Sequence, residues 1–175
     1  MNLEPIIDLV ENTQAPYLHY ARKVMTAKER KRLLQLLPDD RIVFMDGAKM
    51  QTAPDCSKEN VAKLGVHVPP GAGFATFENF MCGVVDGCGG ADGKAINLLI
   101  IIENSDRVLC RAKEETRAPM TKEEFMGALV AAGPYAARTG HYARSKRRPV
   151  GYNVIFLFDP KNKKIDVGIA NHLKL

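Results

Sequence analysis

The sequence predicts one α+β domain, with a mainly antiparallel sheet built from hairpins and packed against three to five helices. Three observations carry that expectation. The 175 residues are 46% hydrophobic and 26% charged, a composition that suits one folded core and lies far from that of disordered chains. Two helical patterns open on capping boxes, at Thr26 and at Thr121. Short apolar runs end in turn sequences, which suits a chain that folds back on itself. Strands and helices do not alternate strictly, and that order argues against a doubly wound nucleotide-binding fold.

A helical N-terminal segment is expected over 1–40 and a sheet-containing body over 41–175. Residues 16–24 suit a first short helix. Ala27 to Leu37 suits a second, since Thr26 and Glu29 have capping-box spacing and Leu33, Leu34 and Leu37 fall on one face before Pro38. Arg41 to Met45 forms an apolar strand, and Asp46-Gly47 is a turn dipeptide that would return a hairpin through Lys49 to Thr52. Pro54, Pro69, Pro70, Gly71 and Gly73 mark loops, with a helical turn or two starting at Ser57. Phe77, Phe80, Met81 and Val84 have the spacing of a buried helix face, and Gly87 to Gly93 is a glycine-rich loop.

Ala95 to Glu103 is rich in Ile and Leu and short enough for a central strand, with Arg107 to Ala112 as its hairpin partner across Asn104-Ser105-Asp106. Thr121 and Glu124 cap a helix carrying Phe125, Ala128, Leu129 and Ala132, which Gly133-Pro134 closes. Tyr152 to Phe158 and Lys164 to Ala170 flank Asp159-Pro160-Lys161-Asn162-Lys163 as a last hairpin.

Charge is distributed unevenly. The net charge is +5, yet residues 1–133 hold 16 Lys and Arg against 18 Asp and Glu, while 134–175 hold 9 against 2. A basic last quarter points to a polyanionic partner, whether nucleic acid, an acidic protein or an anionic membrane surface. The longest strongly apolar stretch, Ile96 to Ile102, is interrupted by Asn97 and falls far short of the ~18 residues of a membrane span. Met-Asn-Leu-Glu-Pro carries no basic region before an apolar core, so no secretory signal is expected. Four cysteines in a chain of this size then suit a reducing, cytoplasmic setting.

The chemistry-bearing segment is 138–152. Arg138, Arg144, Lys146, Arg147 and Arg148 can grip phosphates, while Tyr142 and Tyr152 can stack on bases, a combination suited to RNA or single strands. His141 titrates near neutrality and can act as the general acid or base of a metal-independent ribonuclease. The bland alternative is a solvated basic loop. A second basic group, from Arg22 to Arg32, extends the footprint if it shares that face.

Cys88 sits among glycines whose amides can form an oxyanion site, so a cysteine-dependent transferase or hydrolase pairing Cys88 with His141 is the alternative from another class. A protein-binding inhibitor with a basic surface is the third. No metal or cofactor is expected: the cysteines lack close C-x₂₋₄-C spacing, no HExxH occurs, and Lys94 precedes a strand rather than the helix a P-loop requires.

Overall fold

The computed structural model describes residues 2–12, 17–38, 40–64, 97–112, 121–127, 129–130, 152–162, 165 and 170–175. Helix α1 is Glu4–Glu11, α2 is Ala27–Leu36, α3 is Ala53–Leu64, and α4 comprises 122–127 with 129–130. The strands are β1 (Leu18–Arg22), β2 (Arg41–Asp46), β3 (Leu98–Glu103), β4 (Tyr152–Phe158) and β5 (Asn171–His172). They form one sheet in the order β2-β3-β4-β1-β5, and every pairing is parallel.

The expected antiparallel hairpins are therefore wrong. The hairpins expected after β3 and β4 fail for one reason: β3 is bonded on both edges, by β2 and β4, and β4 on both edges, by β3 and β1. No edge is left for a returning strand. Residues 107–112 instead turn tightly, with Leu109 at φ 53°, and their amides reach the loop after β2, Leu109 N–H donating to Met50 O and Arg111 N–H to Gln51 O. The turn at Asp159 does form, since Asn162 N–H donates to Asp159 O at 2.9 Å, but the next described strand is β5, which lies parallel to β1. Ile165 and Ala170 are not in strands.

Asp46-Gly47 likewise turns no hairpin. The Asp46 carboxylate accepts from Ala48 N–H at 3.0 Å and winds Gly47–Lys49 into a 3₁₀ turn. Thr52 and Asp55 then exchange hydrogen bonds across the first turn of α3, with Pro54 in the position where a missing N–H costs nothing. The helix expected over 16–24 is replaced by β1, which packs between β4 and β5 and brings the N-terminal segment into the sheet.

Two capped helices match their sequence signals, whereas α1 has no counterpart among the expected elements and α3 starts at Ala53 rather than Ser57. Helix and strand alternate from α1 to β4, against the expected order. The helix expected around 77–84 and the 87–93 loop lie outside the described residues. Thr26 and Glu29 form the capping box of α2, and Thr121 and Glu124 that of α4. β3 is interior, as its Ile-rich run suggested.

Helices cover both faces. Ile6 and Val10 of α1 and Leu33 of α2 pack with Leu99, Ile101, Ile155 and Leu157 on one side. Cys56 of α3 and Phe125 and Leu129 of α4 pack with Ile100, Ile102, Val154 and Phe156 on the other. Burial on both sides explains why β3 and β4 are apolar at nearly every position rather than at alternate ones.

The winding follows from right-handed crossovers. From β1 the chain crosses over β4 and β3 to the far edge, with α2 on one face; from β2 it steps back to β3 and β4, with α3 and α4 on the opposite face.

Candidate functional site

In an open parallel sheet, a crevice forms outside the carboxyl ends of two adjacent strands whose onward connections go to opposite faces. Here those strands are β1 and β4. β1 leaves through Lys23–Thr26 into α2, whose Leu33 belongs to one core cluster, whereas beyond β4 Ile165 and Ala170 pack against the other. A cleft of about 120 Å³ lies at this point. Its walls come from the segment after β1 (Lys23, Val24, Met25), the first turn of α2 (Arg30), the end of β3 (Glu103, Asn104) and the end of β4 (Leu157, Phe158, Asp159).

The charged groups here are held before any ligand arrives. Arg30 meets Glu103 in a two-point pair, Nε donating to Oε1 at 3.1 Å and Nη2 to Oε2, and its guanidinium lies 5.6 Å from the centre of the Phe44 ring. That fork geometry fixes both side chains. Lys23 Nζ lies 3.1 Å from Glu29 Oε1. Glu29 also accepts from the Thr26 amide and hydroxyl, and those bonds hold its carboxyl down at about 2. The cap and the Lys23 position are thus one unit.

The rim is tied across strands. Asn104, in the left-handed region at φ 50°, donates to Asp46 Oδ1 at 2.8 Å, joining the exits of β2 and β3. Asp106 accepts from Asp159 N–H at 2.8 Å and from the Asn162 side chain, joining the exits of β3 and β4. Gly47 is needed at this crossing, because a Cβ there would stand 2.4 Å from Asn104 O.

Of the residues singled out from sequence, His141, Cys88, Arg138, Tyr142, Arg144, Lys146, Arg147 and Arg148 lie outside the described residues. Tyr152 is described and only 1% exposed, at the start of β4, with its ring 6.5 Å from that of Tyr17. Stacking on a base needs an open ring face, which a residue so buried lacks. Of the basic residues from Arg22 to Arg32, Lys23 is paired with Glu29 and Arg30 with Glu103, while Arg22, Lys28, Lys31 and Arg32 are exposed.

Sequence reasoning did not pick out Glu103, Asn104 or Asp159 as site residues. The available signal was positional: each directly ends or follows a continuous apolar run, where a parallel strand presents its carboxyl end.

His19 and Asn153 form a buried polar pair. His19 on β1 is 2% exposed and its Nε2 pairs with Asn153 Oδ1 at 3.2 Å, while Asn153 Nδ2 donates to Leu9 O of α1. Burial pushes the His19 imidazole below its ordinary 6.5, the Asn153 bond opposing that only in part. Cys56 is buried, its thiol donating to Met50 O at 3.5 Å, and Cys110 is exposed. Among the described residues no group of three or more His, Cys, Asp or Glu is placed to hold a metal ion, and no helix is long and apolar enough to cross a membrane. Comparison of the chain with protein-family models, curated proteins and solved structures gave no match.

Proposed function

We propose that the protein binds a small polar ligand in the crevice at the carboxyl ends of β1, β3 and β4. The observation that supports this most is the divergence of the β1 and β4 connections to opposite faces of a parallel sheet, the position at which such sheets bind ligands. The pre-paired side chains around it support the same reading, since fixed polar groups lower the cost of ordering on binding. Screening the full chain with a chemically mixed set of small molecules by amide NMR tests it. Binders should shift the amides of 23–25, 103–104 and 157–159. Val24 is 64% exposed at the mouth, so Val24→Trp should leave the fold intact and block those shifts. A set whose binders all map elsewhere refutes the site.

The basic last quarter favours a second reading, nucleic-acid binding through 138–149. The support is the excess of 9 basic over 2 acidic residues in 134–175, which favours phosphate contact. Anisotropy with mixed-sequence single-stranded RNA and DNA should show affinity that falls steeply with salt and disappears when Arg144, Lys146, Arg147 and Arg148 are replaced together. Unchanged binding by that variant excludes the segment. RNA cleavage lost in His141→Ala would add the nuclease activity. For the alternative nucleophile, Cys88, the segments holding Cys88 and His141 lead into β3 and β4, whose first residues Leu98 and Tyr152 are register partners. Iodoacetamide labelling of Cys88 no faster than a model thiol would remove that option.

A further inference from the structure

The charges around the crevice select the ligand's class, an inference that rests on the crevice being the binding site. Two cations, Lys23 and Arg30, and two acidic residues, Glu103 and Asp159, line the same small volume, with Arg30 and Glu103 paired and Asp159 Oδ1 accepting from Lys161 N–H at 2.8 Å. The sum is zero, and Glu29 beside Lys23 makes the surroundings slightly acidic. A phosphate dianion would enter no net positive field. Neither would a simple cation find a net negative one strong enough to hold it.

Each charged group still has bonding capacity. Two of the five Arg30 donors are used on Glu103, one Lys23 contact is used on Glu29, and each Glu103 oxygen receives a single Arg30 bond. Part of the lining is apolar, with Val24 from the segment after β1 and Phe158 from the end of β4. A ligand with one anionic end, one cationic end and a short hydrocarbon branch satisfies all three features. We infer that the crevice takes a free α-amino acid with an aliphatic side chain, its carboxylate on Lys23 and Arg30, its ammonium on Asp159 and Glu103, and its side chain against Val24 and Phe158.

The test is titration of the full chain with L-leucine, followed by amide NMR, beside 4-methylpentanoate, 3-methylbutylamine and inorganic phosphate. Saturable shifts of 23–25, 103–104 and 157–159 are expected with L-leucine. The analogues lacking the amine or the carboxylate should bind at least tenfold more weakly, and Asp159→Asn should weaken L-leucine but not 4-methylpentanoate. Phosphate shifting these amides while L-leucine does not would overturn the ligand class and leave the crevice standing. Equal binding of L-leucine and 4-methylpentanoate would also overturn it. If no compound, including the mixed set, moves these amides, the crevice reading itself fails.

Discussion

Gly47→Ala probes the point where the end of β2 meets the exit of β3. The added Cβ would lie 2.4 Å from Asn104 O, 2.8 Å from Glu103 O and 2.9 Å from Asn104 C. All three are backbone atoms, so no side chain can swing aside. The parallel register Asp46↔Glu103 holds that backbone in place, and the Asn104 bond to Asp46 ties it again. Gly47 has no positive φ among the described residues, so in a roomy site alanine would be expected to stabilise by about 0.4–1 kcal/mol through the unfolded chain. Overpacking against fixed backbone costs about 1–3 kcal/mol and reverses that sign. For a chain of 175 residues, a net loss of about 1–2 kcal/mol lowers Tm by roughly 2–8 °C. Urea denaturation with thermal melting measures both, and Ala48→Gly serves as a nearby control with a small effect. A Gly47→Ala protein as stable as the parent, or more so, would refute the close approach and with it the β2–β3 arrangement.

Burial on both faces of β3 predicts that Ile100→Ala and Ile101→Ala, which point to opposite core clusters, each cost about 2–5 kcal/mol in denaturant; one cheap and one costly substitution would indicate a sheet wet on one face. Thr26→Ala removes the α2 cap and should cost about 1 kcal/mol while weakening ligand affinity at Lys23, as calorimetry would show. His19 is held neutral in the fold, so below about pH 6.5 the unfolded chain binds the extra proton and stability falls as pH falls towards the lower folded value. His19→Gln should flatten the dependence of unfolding free energy between pH 7 and 5.5. The Glu29 bonds stabilise the fold at all pH values above its usual range and are lost only as pH falls from there towards about 2, where protonation removes them.

The amphipathic helices with paired caps were legible in the sequence because their determinants are local: Thr26 with Glu29, and Thr121 with Glu124. The strands at 41–46, 98–103 and 152–158 were legible as apolar runs. Their direction was not, since pairing is settled by which edges remain open, a property of the whole sheet. Continuous apolarity in Leu98–Ile102 and Tyr152–Phe158 was the available sign of a sheet covered on both faces. β1 was missed because Leu-His-Tyr-Ala-Arg contains no β-branched residue; packing between β4 and β5 overrides its propensity. Pro54 read as a loop marker, although Thr52 and Asp55 make its neighbourhood a helix start. The crevice followed the same rule as strand direction: Lys23, Arg30, Glu103 and Asp159 are dispersed along the chain and meet only because parallel strands align their carboxyl ends.

The crevice exists only because β4 lies beside β1 in parallel. Cross-strand amide and Hα NOEs test it directly. Contacts joining Leu18–Arg22 to Val154–Phe158 in the register Tyr20↔Phe156 are predicted. Contacts joining 152–158 to 164–170 in an antiparallel ladder would contradict it.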